Sequence, residues 1–177
     1  MIRKIFIAGL VSASMAAPAV LQANSPAKLD DLEIAHVAYT ADNIDIRYAH
    51  LALAISKSPT VRQFAETMIR DHTIVNEKAL ALLKKLNVTP KDNYLSQQLT
   101  AQSDKLVAEM SKLSGVEFDR RYMSNELAYH KAVNSLVGGT FIPNVETPEL
   151  KALLEEALVI FEAHEHSADD SVAVLTY

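Results

Sequence analysis

Three histidines in this chain stand where helical periodicity calls for apolar side chains. In the stretch "FAETMIRDHTIVNEKALALL", apolar residues recur at Val61, Phe64/Ala65, Met68, Val75, Ala79, Leu82 and Leu86, three and four apart, and His72 takes the missing place in that series. His130 shares a face with Met123, Glu126, Val133 and Val137, and His164 with Ala157, Phe161 and Ala168. A further helical stretch places Asp45 on the stripe of Ala38, Ala41, Tyr48 and Ala52. One inward imidazole on each of three helices, with a carboxyl on another, is the material of a metal site. Neutral imidazole is the commonest protein ligand for transition metals, and helix bundles build such sites from facing helices. The candidate ligands are His72, His130 and His164, with Asp45 or Glu126 completing or orienting the set around Fe, Zn or Cu. The competing reading is a buried hydrogen-bond network of the same histidines with the acids and Tyr48, Tyr122 or Tyr129. Periodicity sets direction and not height, so geometry must separate the two. Ligands of one ion bring ring nitrogens within about 3–4 Å of each other around bonds near 2.1 Å, whereas a network shows His–Asp or His–Tyr contacts near 2.8 Å without convergence.

Neighbouring polar residues read differently. Asp71 points about 100° away from His72 on an ideal helix and is expected at the surface or behind a ligand. Glu126 lies one turn before His130 and can share an ion with it or pair with it. Asp119 reads as an acid opposing the helix dipole near a helix start, and His166 as solvated. His36, Asn43 and His50, with Arg47 among them, read as a wet face of the first helix. There is no glycine-rich phosphate loop, cysteine nucleophile, HExxH pair or recognisable Ser–His–Asp set, so no catalytic residue is assigned.

The elements that must position these groups are long helices. The first is expected from about Leu29 to Ser56. "KSPT" then interrupts, with Ser58 as N-cap and Pro59 in the first turn of a second helix that runs to about Leu86. "NVTPKDNY" forces a connection. A third region begins near Leu95, breaks at Ser114–Gly115 and resumes as helix from Val116 to Val137. "GGTFIPNVETP" reads as the clearest loop, and Thr147 and Pro148 open a final helix carrying Leu150, Leu153/Leu154, Ala157, Phe161, Ala168 and Val172 inward. No strand alternation is seen. The expected fold is all-α, a four-helix bundle with a short extra helix before the third long one.

The chain ends and composition set further bounds. "MIRK" followed by "IFIAGLVSASMAA" and "LQA" has the form of a signal peptide over residues 1–23, with cleavage after Ala23 or alternatively Ala19, leaving a single domain over 24–177. A periplasmic or secreted location is expected. The 177-residue chain has no cysteine, so nothing is stapled by disulfides. Loss of Arg3 and Lys4 takes the formal charge from −5 to −7, and an acidic domain without a basic cluster repels phosphate backbones, so no nucleic-acid partner is expected. No later apolar run is long enough for a membrane span, and the sequence identifies no protein partner.

Three stretches, "NIDIRYAHLALAISKSPTVRQFAETMIRDHTIVNEKALALL", "LSGVEFDRRYMSNELAYHKAV" and "ELKALLEEALVIFEAHEHSA", resemble the bacterial exported family termed domain of unknown function 4142. The resemblance implies a ferritin-like bundle. It carries the family's first-helix acid onto Asp45, its Asp-His pair onto Asp71 and His72, its F-D-x-x-Y onto Phe118, Asp119 and Tyr122, and its later histidines onto His130 and His164. One departure is chemical. Ferritin-type di-iron sites use Glu-x-x-His pairs, but Ile69, Leu127 and Phe161 precede the three histidines here, which leaves a mononuclear three-histidine site with one carboxyl. The expected role is metal handling or stress tolerance. The alternative is a non-catalytic structural or interaction module of the envelope, and a third reading, a metal-dependent oxidase, lacks a recognisable substrate pocket.

Overall fold

The computed structural model describes residues 25–175, so the expected signal peptide lies outside the described residues. Five helices and no strand are found among these residues: α1 (Asp31–Ile55), α2 (Pro59–Leu86), α3 (Tyr94–Met110), α4 (Gly115–Leu136) and α5 (Pro148–Leu175). The chain is all-α. Helices α1, α2, α5 and α4 close a ring of contacts, α1 on α2, α2 on α5, α5 on α4 and α4 on α1, while α3 leans on α1 from outside the ring. The expected extra helix is thus α3, 17 residues long.

Local chemistry explains most boundaries. Asp30 and Glu33 form a reciprocal capping box at the start of α1, which satisfies two of the amides a helix start leaves without partners. Asn93 caps α3 through the amides of Leu95 and Ser96, and its Nδ2 donates to the Glu33 carbonyl, which ties α3 to α1. Asn87 ends α2 in the left-handed conformation, as asparagine tolerates. Ser58 stands at the N-cap position as expected, but its side chain makes no capping bond. The turn is organised instead by Ser56, whose Oγ accepts from the Ser58 amide, and by Arg62, which donates to the Leu53 and Ser56 carbonyls.

The expected loop "GGTFIPNVETP" is also corrected. Val137–Phe141 form a π-helical segment continuing α4, Ile142–Asn144 add one turn, and the chain leaves helical geometry only over 145–147. Gly138 serves close packing here. A Cβ on Gly138 would lie 3.2 Å from Leu158 Cδ2, so a side chain there would crowd α5. Asp31 of α1 then fastens the start of α5 by accepting from the Glu146 and Thr147 amides at 3.0 and 2.7 Å.

The core divides along the bundle axis. At one end Tyr48, Val61, Phe64, Met68, Phe118, Tyr122 and Met123 pack together; at the other, Ile34, Val37, Leu83, Val137, Phe141 and Leu154 do so. On α1, α2, α4 and α5 alike, the polar inward residues fall between these two sets. The bundle therefore carries a polar layer between two apolar ones, and that common depth is what helical periodicity alone could not provide.

Candidate metal centre

Asp45, His72, Glu126, His130 and His164 are all buried, Asp45 and Glu126 completely. His72, His130 and His164 each offer a ring nitrogen within 4.8 Å of the others, and their ring centroids lie 5.4–5.8 Å apart. Asp45 Oδ2 lies 3.6 Å from both His72 Nε2 and His130 Nε2. Asp45, Glu126 and His130 form a second group of the same kind, sharing His130 with the first. The sequence-predicted residues therefore meet in one layer. Imidazole nitrogens at this spacing need a movement on the order of 1 Å to close onto one ion with bonds near 2.1 Å, and the Asp45 oxygen is already close to a tetrahedral edge of about 3.4 Å.

Each imidazole is held by its other nitrogen. His130 Nδ1 donates to the Glu126 carbonyl at 2.9 Å; a carbonyl only accepts, so the proton is on Nδ1 and the lone pair on Nε2. His72 Nδ1 donates to Asp42 at 2.9 Å, and His164 Nε2 donates to Asp71 at 3.0 Å. The three remaining nitrogens, His72 Nε2, His130 Nε2 and His164 Nδ1, are buried with no hydrogen-bond partner, and so are both oxygens of Asp45 and of Glu126. Phe161 stacks on His72 with ring centroids 4.6 Å apart and covers that side of the layer.

The electrostatics favour neutral rings at two of the three positions. Burial holds His130 below the usual histidine range and takes His164 down to about 4, against the pull of Asp71. His72 is raised, because Asp45, Asp42 and Asp71 outweigh its burial. Burial and the adjacent Asp45 drive Glu126 well above the ordinary carboxyl range. Arg70 holds Asp71 low by a two-pronged contact of 2.7 and 3.0 Å, which keeps Asp71 an acceptor for His164.

The chemistry of this donor set fits a transition metal. Three ring nitrogens and a carboxyl oxygen converge, and each imidazole is oriented by an outer hydrogen bond of the kind that fixes the tautomer of metal-binding histidines. A self-sufficient network would instead spend both nitrogens of each ring. Asp71 does stand behind a ligand position, His164. Asp42 was missed by sequence reasoning, although it lies three residues before Asp45 on the same helix and hence on a neighbouring part of the same face. The reading of Asp119 as a dipole-opposing acid is corrected: it is buried and its Oδ1 accepts from Ser56 Oγ at 2.5 Å, pinning α4 to the end of α1. Asn43, Arg47, His50 and His166 are exposed, whereas His36 is half-buried with Nδ1 3.8 Å from Asp92.

A family described as "Domain of unknown function (DUF4142)" matches residues 16–170, and the chain belongs to that family. No curated protein and no solved structure matches it. No helix among the described residues is long and apolar enough to cross a membrane.

Proposed function

Starting from membership of a family whose name assigns no activity, we propose that this chain is an exported protein with a ferritin-like bundle that holds one transition-metal ion. His72, His130 and His164 are the ligands, and Asp45 is the fourth. Glu126, its carboxyl pushed up by burial and by the adjacent Asp45, stands beside that ligand. Asp42, Asp71 and the Glu126 carbonyl orient the three rings. The ion serves metal handling or stress tolerance in the periplasm or the medium.

The observation that carries this reading is the set of three buried ring nitrogens without partners, facing one another across a single layer. Leaving such groups unsatisfied costs about 1–3 kcal/mol each, and an ion satisfies all three at once. Three imidazoles and one carboxyl suit Zn, Cu or Fe, and within that set an equilibrium site favours Cu over Zn over Fe. The set offers no Glu-x-x-His pair for a di-iron centre.

A second reading draws on the His72–Asp42 and His164–Asp71 bonds, which would also occur in a purely structural polar layer. Elemental analysis of the purified mature chain and of His130→Ala separates the two. The metal reading expects about one ion per wild-type chain and a clear loss in the variant. Equal, negligible metal in both would leave the structural reading in its place.

A further inference from the structure

The four sides of the polar layer differ in what they present to an arriving cation. Between α1 and α2 stands Asp42, buried and bonded to His72. Between α1 and α4, Tyr129 donates to the Ala41 carbonyl and sets its ring edge-on to His130. Between α2 and α5, Asp71 is bonded to His164, but the Arg70 guanidinium holds both of its oxygens and repels a second cation. The α4–α5 side is different. There an open depression is lined by Asn134, Glu162, Glu165 and His166, together with Lys131 and Ser135. Asn134 joins this depression to the layer. It follows His130 by one turn, about 6 Å along α4, and is only 8% exposed. Its Nδ2 reaches across to α5, donating to the Phe161 carbonyl at 3.2 Å and to Glu165 Oε2 at 2.9 Å. Both acceptors adjoin the layer, since Phe161 stacks on His72 and Glu165 follows His164 in the chain. The Asn134 Oδ1 is buried and has no hydrogen-bond partner. Burial lowers His130, and Glu165 is among the carboxylates that pull it back, so the Glu165 charge reaches that ring. Glu162 and His166 lie one turn apart on α5, both exposed, and a carboxylate and an imidazole at that spacing can share one cation.

We infer that the α4–α5 depression is the entry site of the metal centre: Glu162, Glu165 and His166 take up an aquated divalent cation, and Asn134 passes it to His130 and His164. This inference rests on the metal reading. The order of the donors suits inward transfer. Outer carboxylates attract the ion from solution, and steering by such charges raises association rates. Two of them line the depression against one amine, that of the exposed Lys131. A carboxamide oxygen is a neutral donor and a weaker ligand for a transition metal than imidazole, so it does not retain the ion against three histidines. A cation on Glu165 competes for the oxygen that Asn134 Nδ2 holds, which frees the carboxamide to turn its Oδ1 toward the ion.

The test is stopped-flow loading of the metal-free mature chain with Co²⁺, followed by the visible absorption the ion gains on binding imidazole, with release read by a chelator chase. Asn134→Leu, an apolar side chain of similar size, should slow loading and release by one common factor of about tenfold or more and leave their ratio, the Kd, as in wild type. A ligand or a structural prop would move that ratio instead, and such a result overturns the inference. Glu165→Gln should slow loading by about tenfold at low salt and remove most of the salt dependence of the wild-type rate, and Glu165→Asp should restore both. Glu165 is half-buried, so its variants carry the test should Asn134→Leu fail to fold. A wild-type loading rate in either folded variant, Asn134→Leu or Glu165→Gln, overturns the inference and leaves the metal reading in place. No Co²⁺ uptake by the wild-type chain at equilibrium overturns both, so the two failures are told apart.

Discussion

A buried imidazole has two ring nitrogens, and in this protein only one of each pair is occupied. His72, His130 and His164 spend one nitrogen on Asp42, the Glu126 carbonyl and Asp71, and turn the other into a shared layer. The outer partners therefore set which nitrogen is free. Asp42→Asn and Asp71→Asn should each weaken metal affinity by about 10–100-fold while leaving about one site per chain, as measured by competition with a chelator of known affinity. A variant that bound as tightly as wild type would show that these acids are structural neighbours only. The inward direction of the three histidines was legible in the sequence, because a period of 3.6 assigns each residue a face. Asp42 was not, since the stripe drawn through Ala38, Ala41 and Asp45 left it one position aside. Nor was the burial of Asp119, which depends on Ser56, a residue 63 positions away.

At the scale of elements, turn and cap chemistry decides where each helix begins and therefore how high its histidine stands. Gly115 opens α4 with φ of +56°, a conformation that costs side-chain-bearing residues roughly 1–2 kcal/mol. Gly115→Ala should lower stability by about 1 kcal/mol in urea denaturation although nothing lies within 4 Å of the added Cβ. An unchanged midpoint would mean that α4 can start elsewhere. Asp31 pins the start of α5, and its carboxyl is held below the usual value. A depressed folded-state value means stability that is fully present above the unfolded carboxyl pKa of about 3.9 and is lost as pH falls through the lower, folded value. Asp31→Asn should therefore destabilise the protein at neutral pH and flatten its acid unfolding profile, followed by circular dichroism. Helix existence was readable from periodicity throughout. The π-helical segment Val137–Phe141 was not, because glycine pairs ordinarily mark loops, whereas here Gly138 lets α4 continue close against Leu158 of α5.

At the scale of the whole molecule, the four-membered ring of helices stacks an apolar layer, a polar layer and a second apolar layer, and the same registration appears on α1, α2, α4 and α5. The polar layer brings together side chains separated by up to 119 residues of sequence, from Asp45 to His164, yet all belong to rigid helices and none to a loop. Such a site is preorganised by the packing on either side of it. The decisive feature is three imidazoles sharing one ion. X-ray absorption on the zinc-loaded mature chain reads that directly. It should report a four-coordinate shell with about three imidazole nitrogens near 2.0–2.1 Å and one oxygen. A shell of oxygens alone, or one with a single imidazole, would contradict it.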